Sequence, residues 1–295
     1  FKNDTKEIES NLNEFDITDI KDIEKINNKI FISVAVNFNK NQNCGYFKIL
    51  EFDFNEKKIN FKNFFESDKC LVKIQGGRIK NFELNEKKGF LLTTAAVLKE
   101  SKLAQDVKSI FGKIIFFDLK GNFEIFSKGH RNPQGLFVTK NNVILQTEHG
   151  PFGGDEINKI EHKKNYGWPI SSYGENYDFK ESILFKKKYF SLKKNHNENN
   201  FEEPIFSFVP SIGISEIIKV PNNFSRYWKN NYIVSSLNGR SIFRIKFDNE
   251  FTKISFLEKI YIGERIRDIT IGPDNRTIFF ALEDTGSVGE FKSKN

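Results

Sequence analysis

The feature that most constrains this chain is a phrase that it repeats. Residues 15–36 read FDITDIKDIEKINNKIFISVAV, 75–96 QGGRIKNFELNEKKGFLLTTAA, 131–147 RNPQGLFVTKNNVILQT, 213–236 GISEIIKVPNNFSRYWKNNYIVSS and 265–282 RIRDITIGPDNRTIFFAL. Each is a short run, a polar turn and a second run rich in β-branched and aromatic residues, which predicts a hairpin. Further strand-like runs follow most of them: GYFKILEFDF, GKIIFFDLKG, SIFRIKFDNE and SVGEFK. The phrase begins at 15, 75, 131, 213 and 265, so the intervals are 60, 56, 82 and 52 residues. Four strands per unit at such a period is the signature of a β-propeller. The long interval holds a Tyr-, Lys- and Asn-rich stretch, 168–205, that reads as an inserted loop. A β-sandwich does not explain a repeated phrase, and a parallel β-helix has a shorter period. The expectation is one all-β domain over 1–295, with five blades countable and no linker.

Composition narrows the function. The 33 Phe give the chain enough bulk for a sizeable core. The net charge is +7, yet Lys is spread along the chain and mixed with Asp and Glu, and no nucleic-acid motif accompanies it. The basic run at 186–194, KKKYFSLKK, reads as a solvated loop. No run approaches the ~18 apolar residues of a membrane span, and no signal peptide is visible at Phe1. Cys44 and Cys70, 26 positions apart, permit one disulfide without requiring it.

In a propeller the innermost strands line a central channel, and residues at one phase of the repeat converge at its mouth. Arg78, Arg131 with Asn132, and Arg265 with Arg267 stand at the starts of inner-strand phrases. Several guanidinium forks around one mouth suit a small polyanion. The competing reading pairs each Arg with a local acid such as Asp268 or Glu264.

The wording of the motifs adds a family. GHRNPQGL, EHGP, GGDEIN and NYGWP, in that order, resemble the soluble quinoprotein glucose/sorbosone dehydrogenases. LAQDVKSIFGKIIFFDLKG, PSIGIS, SSLNGRSIFRIKFD and RIRDITIGPDN resemble other phrases of the same family, so the likeness runs from about residue 15 to the end. It implies a six-bladed propeller that is periplasmic or secreted. It also implies pyrroloquinoline quinone (PQQ) and calcium as cofactors, a small-molecule sugar as substrate and an unidentified electron acceptor. Arg131 and Asn132 match the family's Arg-Asn pair over the cofactor, and Arg265 and Arg267 its paired arginines. Asn238 falls where some members contact the cofactor with a lysine. Gly150 and Pro151 match the residues whose backbone carbonyls hold the cofactor's calcium, a hard cation that takes oxygen ligands. Glu156 and Tyr166 match positions linked to a structural calcium in some members; the alternative is a loop-satisfying carboxylate and a packed aromatic. His130 and His149 read as loop hydrogen-bonders.

Two departures stand out. The family's catalytic histidine lies four residues before the arginine that matches Arg78, and here that position is Ile74, which cannot accept a proton. Neighbouring Gln75 is no useful base either. A Gly-Asp phrase of the family is replaced by TTAA, 93–96. The family's first blade is not recognisable, so that blade is incomplete or missing in this chain. Three readings follow: a quinoprotein sugar dehydrogenase whose base is unidentified, a non-catalytic propeller that binds a sugar, polyanion or protein at the same mouth, and a lactonase-like hydrolase. The third would need acidic metal ligands around the channel, which the sequence does not offer.

Overall fold

The computed structural model describes residues 8–39, 44–53, 58–175, 192 and 195–293. The basic run at 186–194, Leu192 apart, lies outside the described residues. Five antiparallel sheets follow in chain order. Blade one is β1 (Ile17–Ile26), β2 (Lys29–Asn39), β3 (Cys44–Asp53) and β4 (Lys62–Glu66). Blade two is β5 (Gly76–Leu84), β6 (Lys87–Thr94), β7 (Lys113–Asp118) and β8 (Phe123–Lys128). Blade three is β9 (Pro133–Val138), β10 (Ile144–Glu148), β11 (Asp155–Ile160) and β12 (Phe206–Phe208). Blade four is β13 (Ile214–Lys219), β14 (Tyr232–Ser236), β15 (Ser241–Phe247) and β16 (Ile254–Tyr261). Blade five has three strands, β17 (Ile266–Ile271), β18 (Thr277–Leu282) and β19 (Ser287–Lys292).

All five predicted hairpins form. The first, second, third and fifth turn on residues with positive φ, namely Asn27, Asn85 with Glu86, Asn142 and Asn275, a conformation that Asn tolerates better than most. The fourth hairpin is not a tight turn. Residues 220–231 include a 3-10 turn, Arg226–Trp228, because Phe224 and Trp228 fold back onto the apolar cluster beside blade five.

The pleat explains why the second strands read as unbroken apolar runs. Successive side chains leave a strand on opposite faces, and both faces are covered. Phe90 and Leu92 of β6 join the cluster shared with blade one, while Leu91 joins the cluster shared with blade three. In β14, Tyr232 and Val234 face blade three and Ile233 faces blade five. The outer face of blade one, with Ile30, Ile32 and Val34, is covered by Leu12, Phe15 and Phe61. Many Phe stack in series: Phe31, Phe64, Phe90 and Phe117 form one chain of ring contacts.

Inner strands pack in order, β1 on β5, β5 on β9, β9 on β13 and β13 on β17. β17 and β1 do not pack in this way. Between them lies a cavity of about 670 Å³ lined by Ile23, Thr270, Phe279 and Val288 among others. Described residues 8–16 give a 3-10 turn and a bridge from Ser10 to Ile59, not a sixth sheet.

Each inner strand breaks register at the same level, near Asp22, Arg78, Gly135, Glu216 and Asp268. Such bulges free backbone N–H groups, and carboxylates take them up. Asp22 accepts from Ile23 and from Ile79 of the next blade, at 2.9 and 2.8 Å. Glu216 accepts from Ile217 and from Leu136 of the preceding blade, at 2.9 and 3.2 Å. Hydroxyls of the hairpins tie neighbours too: Ser33 donates to the Gly77 carbonyl, Thr147 to that of Ser215, and Ser215 to that of Ile266.

Candidate functional site

Every inner strand starts at one end of the channel, and that end carries nearly all the residues singled out by sequence. A cavity of about 800 Å³ opens there, with Asp19, Ile74, Gln75, Arg78, Gln134, Arg267 and Asp268 among its lining. Cys44 also lines it, and Cys44 and Cys70 are joined in a disulfide that pins the loop before β5 to the start of β3.

Two loops of blade three frame one side of the mouth. The first carries Arg131 and Asn132 into β9. Arg131 is buried; its Nη1 donates to the His149 carbonyl at 2.9 Å, and its guanidinium lies 5.2 Å above the Trp168 ring. The second is the turn at 149–154. A Cβ on Gly150 would lie 2.2 Å from the Gly154 carbonyl oxygen and 2.3 Å from that of Gly153, so only glycine fits. Asp155 holds this turn with four hydrogen bonds. It accepts from the Gly150 N–H at 3.2 Å, Ser211 Oγ at 2.8 Å, and the Ile212 and Ile214 N–H groups at 3.0 and 2.9 Å. The PSIGIS phrase is therefore the strap that locks the turn to blade four. Among the described residues the carbonyls of Gly150 and Pro151 serve no backbone hydrogen bond, so their lone pairs remain for a hard cation. This arrangement fits the calcium that the motif implies.

A polar chain crosses the mouth from there. His149 Nδ1 faces Asn132 Nδ2 at 3.5 Å. Gln134 donates to Asn132 Oδ1 at 3.0 Å and accepts a long, 3.4 Å contact from Arg267 Nη1. Arg267 also pairs with Glu283 at 2.9 Å, and Arg265 reaches the same carboxylate at 3.5 Å. Arg131, Asn132, Arg267 and Arg265 thus share one end of the channel. The local acid of the two late arginines is Glu283, not Glu264, which instead accepts from Thr285. Asn238 sits exposed on the mouth-side loop of blade four, and among the described residues no hydrogen bond links its side chain to Arg131 or Arg267.

Arg78 is the exception to the expected cluster. Its Nε donates to the Gln134 carbonyl at 2.6 Å, and its Nη1 lies 2.7 Å from Asp268, 3.1 Å from Glu216 and 3.9 Å from Asp22. For this residue the acid-pairing reading holds, and the guanidinium plugs the channel below the mouth. Burial alone would lower its pKa; Glu216, Asp268 and Asp22 more than offset that and keep it charged. Burial pushes the Glu216 carboxyl up to about 7 despite Arg78.

Ile74 is buried in the apolar cluster that also holds Leu71, Ala96 and Trp168, and it forms part of the cavity wall. Both histidines of this stretch hydrogen-bond locally. His130 meets Ser127 Oγ at 2.8 Å and stacks on Tyr166, and burial lowers the pKa of His149, keeping it neutral near pH 7.

Glu156 lies inside blade three, directly opposite Glu148 in the β10–β11 ladder and opposite Ser207 across β12. Burial, then Glu148, raises its pKa well above the usual carboxylate range. Nearby Asn158 Oδ1 and Ser207 Oγ are buried without a hydrogen-bond partner among the described residues. Two carboxylates beside unfilled oxygen acceptors fit a hard cation, although among the described residues no three His, Cys, Asp or Glu side chains converge as a preformed metal site. Tyr166 takes the packed-aromatic role: its phenol donates to the Lys159 carbonyl at 2.6 Å and accepts from the Glu161 N–H at 2.9 Å.

Comparison with known proteins bears on this geometry. Aldose sugar dehydrogenase YliI of Escherichia coli is 27% identical over 239 residues, which is 75% of this chain and 60% of that protein. Quinoprotein glucose dehydrogenase B of Acinetobacter calcoaceticus is 26% identical over 240 residues, 62% of this chain and 50% of that protein. The chain thus spans about half to three fifths of the length of these relatives. A glucose dehydrogenase crystal structure superposes with a TM-score of 0.78 at 21% identity, covering 94% of this chain and 82% of its own. The apo soluble aldose sugar dehydrogenase of Escherichia coli gives 0.71 at 23%, covering 86% and 74%. These likenesses place the fold among propeller sugar dehydrogenases. The model of the family described as glucose/sorbosone dehydrogenase matches residues 21–289, and the chain belongs to that family.

Proposed function

We propose that this chain holds PQQ and a calcium ion at the mouth of its channel and acts as a soluble aldose sugar dehydrogenase. The observation that carries the reading is one juxtaposition: the Arg131–Asn132 arm abuts a glycine-dependent turn whose Gly150 and Pro151 carbonyls accept no backbone hydrogen bond among the described residues, with Arg267 reached from Asn132 through Gln134. Arg131, Arg265 and Arg267 would hold the cofactor's carboxylates, since the planar fork suits that geometry. Asn132 would hydrogen-bond to the cofactor, and the two carbonyls would bind the ion. Bound there, the quinone would supply the hydride acceptor and the ion a Lewis acid. The sugar would lie in the cavity walled by Ile74, Gln75 and Asp268. Glu156, with Glu148, Asn158 and Ser207, would take a second cation. The disulfide supports an oxidising compartment, periplasmic or extracellular.

Ile74 favours a second reading, ligand binding without turnover. The carboxylates lining the cavity are Asp19 and Asp268, and Asp268 is engaged by Arg78 and by the Ile269 N–H. Titration of calcium-loaded protein with PQQ, followed by dye reduction with aldoses, separates the readings. Binding with turnover supports the dehydrogenase, binding without turnover selects the second reading, and no binding leaves only the fold.

A further inference from the structure

The NYGWP segment has no role in the reading above, yet it runs alongside the Arg131 arm. Residues 164–168 lie parallel to 128–131. The Lys128 N–H donates to the Lys164 carbonyl at 3.1 Å, the Tyr166 N–H to Lys128 at 2.9 Å and the Trp168 N–H to Gly129 at 3.0 Å. The approach is close: Gly129 has φ +81°, and a Cβ there would lie 2.3 Å from Asn165 Oδ1. Two successive side chains of one segment then stack on two aromatic rings of the other. His130 lies on Tyr166 with 4.7 Å between ring centroids, and Arg131 lies over Trp168.

Trp168 is itself held through both its ring and its backbone. Its Nε1 donates to the Ala96 carbonyl at 2.7 Å, and Gln105 Nε2 donates to the Trp168 carbonyl, also at 2.7 Å. The Ala96 N–H donates to the Arg131 carbonyl at 2.9 Å, so one alanine backbone ties the ring to the residue it supports. A guanidinium over an aromatic face is attracted by the ring quadrupole and takes a defined orientation. Here both the ring and the guanidinium are buried, and the indole Nε1 is hydrogen-bonded.

We propose that Trp168 is a positioning residue for Arg131, its indole face setting the plane in which the guanidinium meets a carboxylate of the ligand at the mouth. The inference rests on the reading of the mouth as an anion site, but it is tested with and without PQQ. In the full chain, Trp168→Leu removes the face and Trp168→Phe keeps one. Trp168→Met replaces the Leu variant if that one fails to fold.

The first measurement is phenylglyoxal labelling read by mass spectrometry, with Arg240 as internal reference. Arg131 is expected to label at least about fivefold faster in Trp168→Leu and near the wild-type rate in Trp168→Phe. The second is PQQ affinity of calcium-loaded protein. It should fall about tenfold in Trp168→Leu, stay within about threefold in Trp168→Phe, and fall no further when Trp168→Leu is added to Arg131→Ala. Unchanged labelling of Arg131 in Trp168→Leu overturns the proposal, as does an equal loss of affinity in the Arg131→Ala background. If wild-type protein does not bind PQQ the proposed function falls, and the labelling alone decides the role of Trp168.

Discussion

Arg78 and Asp268 stand 190 positions apart in the chain and meet at 2.7 Å below the mouth of the channel. The same guanidinium touches the Gln134 carbonyl and the carboxylates of Glu216 and Asp22, so blade two reaches every other blade from a single side chain. Arg78→Met would leave buried carboxylates facing one another. The expected loss is about 3–5 kcal/mol of unfolding free energy, read by urea denaturation; Arg276→Met, on an exposed turn, should cost under about 0.5 kcal/mol.

Glu216 gives this centre a pH dependence of known sign. Its folded pKa, about 7, lies above that of an unfolded glutamate, so folding favours the protonated form. The group's contribution is complete below the unfolded value of about 4.3 and is lost as pH rises toward 7. Glu216→Gln removes that titration. Wild type should therefore lose stability relative to the Gln variant between about pH 4.5 and 7.5, measured as the difference between their denaturation midpoints. A constant difference would show that Glu216 does not titrate there.

The 149–154 turn should be intolerant in a specific way. Gly150→Ala forces a Cβ against two backbone oxygens and should cost about 2 kcal/mol or more. Asp155→Ala leaves the turn's residues in place but removes four hydrogen bonds. If the turn binds calcium as proposed, Asp155→Ala should weaken that affinity about tenfold or more, measured by calorimetry with calcium alone.

Ile74→His places an imidazole in the cavity wall where the family's base would stand. If the mouth binds PQQ as proposed, this variant should raise the aldose-dependent rate about tenfold to a hundredfold with PQQ affinity unchanged. A rate that does not move would mean that a proton acceptor at this position is not what turnover lacks.

Reducing the Cys44–Cys70 disulfide frees a loop closed over a 26-residue separation. Chain entropy puts the cost at about 3 kcal/mol, to be read as a lower melting temperature in reductant. Cys44→Ser/Cys70→Ser should match it.

Much of this architecture was legible in the repeated phrase, because a hairpin needs only local pattern and a turn residue that accepts positive φ. Asn27 and Asn85 supplied both. What sequence could not settle was partnership at long range. Arg78 looked like another arm of the anion site, and only the meeting of five inner strands showed it encircled by acids. Gln134 and Glu283, which organise Asn132, Arg265 and Arg267, carry no local signal beyond their place beside those residues. Asp155 had one, the pair of glycines before it, but its four donors come from the turn and from a loop 56 to 59 positions away. Trp168 was visible as a word of the motif, while its ring contact with Arg131 depends on a parallel run that no periodicity announces.

The pleat has a consequence for how this chain can change. Within a second strand, odd and even positions serve two different neighbours: Phe90 and Leu92 look toward blade one, Leu91 toward blade three. A substitution at any of them disturbs a single joint. Inserting or deleting one residue ahead of them exchanges the two sets at once and mismatches both joints. Changes of side-chain identity are therefore compatible with the fold one joint at a time, whereas a change of chain length is tolerated only in the connections between strands.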